Sequence, residues 1–298
     1  MIVNKQSIQA IFSNIKTTFH KAFEAAPSTW DKIAMLVPSN SSQNDYTWLE
    51  NFPKMRRWIG SKHIKSLKAR NYVIVNDDFE ATIAVKRNDI EDDNTGMLKP
   101  QAEGAGHSAK QWPDELVYEA VNKGTTETCF DGQYFFDTDH EVGTQSVSNK
   151  FSKPLDVSTQ AAAIASFGFV RTAMKNIKDE EGRPLNITPN VLLVPPALED
   201  KANVLMNNDK FDDGKPNPYK GTAEVVVDAR IASDTAWYLL DTTKPVKPFV
   251  FQQRKKPVFI SKTDITSDHV FMTGEYIFGV EARGEAGFGF WQLAAKGN

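Results

Sequence analysis

From Phe130 to His140 the chain reads Phe-Asp-Gly-Gln-Tyr-Phe-Phe-Asp-Thr-Asp-His, so Asp137, Asp139 and His140 place two carboxylates and an imidazole within four residues. Such a set could ligate a divalent metal, and aspartates of this kind can hold the water that a metal activates. Metal sites, however, draw ligands from more than one segment, and His20, His63, His107 and His269 belong to no ligand motif. The competing reading is a structured turn whose Asp and Thr side chains bond to backbone amides. No nucleophile motif, phosphate-binding glycine loop or cysteine pair stands elsewhere. Gly284, Gly287 and Gly289 interleave with Phe288, Phe290 and Trp291, but no helix follows to complete a dinucleotide site. They predict close backbone approach within a sheet instead.

Charge is patterned where catalytic chemistry is not. Lys54, Arg56, Arg57, Lys62, Lys65, Lys68 and Arg70 stand against Asp45 and Glu50, and the next stretch reverses the sign with Asp77, Asp78, Glu80, Asp89, Glu91, Asp92 and Asp93 against Lys86 and Arg87. Adjacent blocks of opposite sign can set the register between copies of one protein, because complementary potentials orient more than they bind. Two solvated faces are the plainer reading. Trp48, Phe52, Met55, Trp58 and Ile59 weaken that reading, since so much apolar bulk in a polar-flanked segment suits a partner's surface.

The elements that carry these groups follow from periodicity. Ile8, Ile11, Phe12, Ile15, Phe19 and Phe23 predict an amphipathic helix from Asn4 to Ala25, packed on its own chain or reaching a neighbour. Phe79, Ala81, Ile83 and Val85 alternate as a half-buried strand. Leu98, Ala102, Ala105, Ala109, Trp112, Leu116 and Ala120 lay a narrow stripe along a long helix, with the carboxylates of Asp89–Asp93 at its front and Gly124 at its stop. Pro113 either kinks that helix or opens a second one with Asp114 and Glu115. Ser158 caps another helix that runs to Gly182, and Asn190–Val194 reads as a buried strand followed by a short helix, Ala197–Met206. Asn207–Gly221 is a long polar loop, mobile or engaged by something. Strands fit Glu224–Ile231, Ala236–Leu240, Phe249–Gln253, Val258–Ser261 and Phe271–Ala282. The fold class is α+β.

The 298 residues are 40% hydrophobic and 24% charged, as in globular domains, and the net charge of −3 shows no basic surplus for nucleic acid. The lone Cys129 forbids an internal disulfide and fits a reducing compartment. No secretory signal opens the chain, and the longest apolar run, Ala161–Val170, is too short to span a bilayer. The expectation is a soluble protein with an N-terminal arm, an extended charged front segment and a long loop on an α+β body. A monomer gains little from such projections, whereas overlapping copies can bury them.

Over nearly its whole length the chain resembles the Mu-like prophage major head subunit family, the gpT-type major capsid proteins of tailed bacteriophages. The stretches that carry the resemblance are Phe52–Gly60, Arg87–Asp93, Asp131–His140, Ala236–Asp241 and Gly284–Leu293, in that order. The resemblance implies the Hong Kong 97-type capsid fold: an N-terminal arm (1–45), an extended E-loop (46–80), a peripheral domain with a spine helix (81–124), an axial domain (125–247) and peripheral strands that return to it (248–298). Asn207–Gly221 is the candidate axial loop.

It also implies pentamers and hexamers that close into an icosahedral shell around double-stranded DNA touched non-specifically, with no enzymatic activity, cofactor or membrane. A portal protein, a head maturation protease and a scaffold protein are the implied partners, the scaffold being separate because the arm helix starts almost at residue 1. The place is the virion capsid, assembled in the bacterial host cytoplasm. An E-loop laid over its neighbour makes Arg56, Arg57, Lys62 and Lys65 the expected donors, and Asp89, Glu91, Asp92 and Asp93 the expected acceptors, of an inter-subunit clamp. The rival readings are another phage structural component, a tail or decoration protein, and a metal-dependent hydrolase using Asp137, Asp139 and His140.

Overall fold

The computed structural model describes residues 5–46, 72–92, 96, 98–264 and 266–298. The first stripe forms α1 (Lys5–Ala25), which buries Ile8, Phe12, Ile15 and Phe19. There follow α2 (Trp30–Ile33), β1 (Ala34–Pro38), β2 (Gln43–Asp45), β3 (Val73–Val75), β4 (Asp77–Lys86), α3 (Arg87–Glu91) and the 26-residue α4 (Leu98–Lys123). The middle of the chain holds β5 (His140–Val142), β6 (Gln145–Val147), β7 (Lys150–Phe151), α5 (Gln160–Ala163), a π-turn at Ile164–Gly168, α6 (Phe169–Lys175), β8 (Val191–Val194), α7 (Glu199–Asn207), β9 (Glu224–Val227) and β10 (Trp237–Leu240). Last come β11 (Phe249–Lys262), α8 (Asp268–Thr273), β12 (Glu275–Phe288) and β13 (Ala294–Gly297).

Two sheets organise these elements. The four-stranded sheet runs β1-β11-β12-β4, with β11 and β12 antiparallel from Phe249 opposite Phe288 out to Lys262 opposite Ile277. The five-stranded sheet runs β7-β13-β10-β8-β9. Its central strands, Val-Leu-Leu-Val and Trp-Tyr-Leu-Leu, are buried along their whole length, which is why both are unbroken apolar runs. One continuous core joins this sheet to α4 and the near end of the other.

α1 lies on its own chain: its buried side chains meet Leu98 and Ala102 of α4 and Tyr276 and Phe278 of β12. Each buried Ile or Phe contributes about 1.5–3 kcal/mol before the cost of ordering, so four of them hold the arm firmly.

Several expectations are corrected. The acidic stretch is not the front of the long helix; it forms the separate turn α3, and the first turn of α4 carries no acid. Pro113 sits inside a continuous α4, and Asp114 starts no helix of its own. Its buried carboxylate instead accepts the backbone N–H of Thr29 (2.7 Å) and Trp30 (2.8 Å) and the hydroxyl of Ser28 (2.7 Å), capping α2 from a distance. Thr159, not Ser158, caps α5, by accepting the N–H of Ala162. The loop from Asn207 to Gly221 is engaged by its own chain, with the Asn217 amide donating to the carbonyls of Leu205 (2.8 Å) and Asn208 (3.0 Å).

The two short strands expected at Phe249–Gln253 and Val258–Ser261 are one strand with irregular register between Gln253 and Val258, where Pro257 falls beyond the last β1 pairing and so leaves no ladder bond unmade. The strand expected from Phe271 instead starts at Glu275, because Gly274 in the left-handed region (φ 68°) ends α8 just before it. It then runs on through Gly284 and Gly287, and a Cβ at either would come within 2.5 Å of the Gln252 carbonyl or the Ile74 side chain.

Candidate assembly surface

In the sequence the basic block falls between β2 and β3, whose antiparallel ladder pairs Gln43 with Val75 and Asp45 with Val73. Arg56, Arg57, Lys62 and Lys65 lie outside the described residues, as does Asp93. This β2–β3 stem is tied down by polar groups from distant strands. Gln252 of β11, wholly buried, accepts the Tyr46 hydroxyl (2.9 Å) and donates to the Ile74 carbonyl (3.1 Å) and to Asn76 Oδ1 (2.8 Å). Asn76 donates onward to Ser39 Oγ and the Ser41 carbonyl, both at 2.9 Å. On the other leg the Tyr72 hydroxyl accepts the Phe288 N–H at 2.6 Å.

Burial pushes the Tyr46 hydroxyl up to about 12, against a smaller opposing effect from Asn44, so it stays a neutral donor. A satisfied buried network of this kind fixes one geometry, since any opening strands its members in a low dielectric. None of these anchors has a signature in the sequence; only the strand pairing brings Tyr46 and Gln252 together.

Of the expected acceptors, three fall in or beside α3. Asp89 and Asp92 are exposed on and just after α3, while Ile90 turns inward to the core beneath α1. Glu91 closes the same turn. A short helix anchored by one apolar side chain thus presents carboxylates to solvent, near the end of β4 that pairs with the start of β12.

The cluster expected for metal chemistry is built differently. Asp139 is exposed, and Asp137 accepts the N–H of Thr138 (2.8 Å) while its own N–H donates to Asn149 (2.9 Å), as a structured turn requires. His140, wholly buried, stacks on Trp291 with ring centroids 3.9 Å apart and aims Nδ1 at Asp131 Oδ2, 2.7 Å away. The carboxylate can only accept, so Nδ1 carries the proton. Asp131 also accepts the Gln133 N–H (3.0 Å) and the Cys129 thiol (3.2 Å). Burial works to raise the Asp131 carboxyl, but His140, the Gln133 amide and the thiol outweigh it and hold the group below its ordinary value. Cys129, Asp131 and His140 keep one ligating atom each within 4.8 Å of one another; Asp131 accepts from both of the others, and the His140 ring pins the turn to Trp291. Asp137 and Asp139 take no part.

A long strut helix laid on two fourteen-residue strands, a small antiparallel β2–β3 pair and a second, buried mixed sheet define a Hong Kong 97-type major capsid fold. The chain is similar to the procapsid protein of bacteriophage JBD30, at 33% identity and a TM-score of 0.63, over 99% of this chain and 75% of that one. It is similar in fold alone to the virus-like particle of Pyrococcus furiosus, at 8% identity and a TM-score of 0.57, over 96% and 99% of the two chains.

In sequence it is 33% identical to the major capsid protein of Escherichia phage Mu, over 99% of this chain and 74% of that protein. It is 30% identical to the Mu-like prophage FluMu major head subunit of Haemophilus influenzae, over 98% and 73%. The profile of the Mu-like prophage major head subunit gpT matches residues 8–162, 156–231 and 228–298. The chain belongs to that family and is a major capsid protein of the Mu-like phages.

Proposed function

We propose that copies of this chain associate as pentamers and hexamers and close into an icosahedral shell around double-stranded DNA, and that the work of the protein is structural rather than catalytic. The observation that carries the reading is the β2–β3 pair, where Tyr46, Asn76 and Gln252 form a buried network that fixes the residues flanking both ends of the strongly basic stretch. Such rigidity is wasted on a solvated loop and useful to one that must meet a neighbour.

On this reading residues 46–80 form the E-loop, residues 1–45 the arm, and α4 with the four-stranded sheet the peripheral domain. Residues 125–247 form the axial domain, and residues 248–298 carry the peripheral strands and return to it. Asn207–Gly221 is the axial loop. Arg56, Arg57, Lys62 and Lys65 of one copy meet Asp89, Glu91, Asp92 and Asp93 of the next, which orients the contact more than it strengthens it. A separate scaffold protein, a head maturation protease and a portal protein are the other partners, and the near-neutral charge suits a wall that touches DNA without retaining it. Assembly takes place in the bacterial host cytoplasm and the product is the virion capsid. Among the described residues no helix is long and apolar enough to cross a membrane.

The test is electron microscopy of particles formed when the chain is co-expressed with its neighbouring head genes. Reversing the charges of Arg56 and Arg57 is expected to abolish shells while leaving the subunit folded, and reversing Asp89 and Asp92 in the same chain is expected to restore them. Normal shells from the first variant would remove the clamp, and a protein that stays monomeric throughout would remove the container.

A further inference from the structure

The end of the four-stranded sheet carries an apolar knob that none of the described residues covers. Phe271 and Met272 are 85% and 78% exposed, although they belong to a short helix that is carefully held. The Ser267 hydroxyl accepts the Val270 N–H at the front of α8, Gly274 in the left-handed region closes its back, and Val270 is buried with Tyr276 and Phe278. Two caps and an anchor that present a Phe and a Met to water make sense only if something else covers them.

The same chain holds a fitting recess. Between α4 and the sheet runs a groove of about 520 Å³ whose walls include Phe79, Ala81, Ala109, Trp112, Val280 and Ala282. Trp112 is buried, and its indole N–H finds no hydrogen-bond partner among the described residues. The knob stands on α8 just before β12, and along that strand the inner wall of the groove at Ala282 lies roughly 20 Å from Glu275, so knob and groove bottom occupy different places on the subunit. An apolar knob and an apolar recess at different places on one rigid body make a head-to-tail contact between copies.

We propose that Phe271 and Met272 of one subunit insert into the groove between α4 and β4–β12 of a second copy. The contact rests on the reading of the chain as a shell-forming subunit and adds a junction separate from the charged clamp. It leaves the indole N–H of Trp112 close to an incoming acceptor, the Met272 sulfur or a carbonyl of α8.

Cysteine pairing tests it. Gly104 lies at the groove rim with open space around a built Cβ, and Phe271 is exposed, so Gly104→Cys and Phe271→Cys perturb little. The native Cys129 does not compete, because it is buried and burial raises its thiol far above the ordinary value. Under mild oxidation of assembled material the double variant is expected to give a ladder of covalent oligomers on a non-reducing gel. A mixture of the two single variants should give dimers, and Gly104→Cys alone should give neither. Dimers from Phe271→Cys alone would set knob against knob and overturn the proposal, as would a double variant that stays monomeric on the gel. Light scattering on the same sample shows whether copies still associate, which separates the loss of this contact from the loss of the capsid reading.

Discussion

Replacing Gln252 by Leu removes three hydrogen bonds at the β2–β3 stem while nearly preserving volume. The Tyr46 hydroxyl, the Ile74 carbonyl and Asn76 Oδ1 each lose a partner that lies between 2.8 and 3.1 Å away. A buried polar group left unpaired costs about 1–3 kcal/mol, and the change also removes the burden of burying an amide, so a net loss of roughly 3 kcal/mol is expected. At 1.4 kcal/mol per tenfold, that is on the order of a hundredfold in the opening equilibrium. The loss is local. Hydrogen exchange followed by mass spectrometry should show the backbone around residues 43–46 and 72–76 exchanging faster by about that factor, while peptides from β8 and β10 keep their protection. Adding Tyr46→Phe should recover part of the loss by removing a buried hydroxyl that has lost one of its partners. Unchanged protection at the stem in Gln252→Leu would refute the claim that this network fixes the residues flanking the basic segment. Equal loss across the molecule would show that the network supports the whole fold instead.

Asp114→Ala leaves the Thr29 and Trp30 amides and the Ser28 hydroxyl without their acceptor and should lower stability by roughly 3 kcal/mol, read as a shift of the urea midpoint, whereas a Glu24→Gln control on the exposed face of α1 should cost almost nothing. Because the Asp131 carboxyl is depressed in the folded state, its stabilising contribution is complete above its ordinary value and disappears as pH falls through its lower folded value. Thermal midpoints of wild type and Asp131→Asn should therefore differ most near neutrality and converge in strong acid, and a constant gap would exclude the ionised carboxylate as the cause. Cys129 should resist iodoacetamide at pH 8 in the native protein and react promptly in urea, since burial raises its thiol; rapid native alkylation would contradict that burial. At Gly106 a Cβ would collide with the Phe19 carbonyl, so Gly106→Val should loosen α1 and speed proteolysis within residues 5–25.

The local pattern determined the elements whose signal is periodic and whose partner surface is broad. α1, α4, β4 and the central strands β8 and β10 could be read because an apolar stripe or run needs only some apolar partner, whichever it is. Element ends were less legible. Arg254 to Pro257 looks like a break in β11, yet β12 carries the pairing past it with a shift in register; the glycines after Ala282 were legible as a place of close approach within a sheet, but that the Gln252 carbonyl and Ile74 are what comes close was not.

The charge blocks were visible as composition, but what holds the basic one was not, because Tyr46 and Gln252 stand 206 positions apart and neither is unusual in its own neighbourhood. For the same reason Asp137 and Asp139 drew attention that belonged to Asp131, and Asp114 looked like the start of a helix when it caps another. Hydrophobic burial is non-directional and tolerates many partners, so sequence determined it; a hydrogen bond or a cap needs one atom at one distance, and only the tertiary structure decides which atom arrives there.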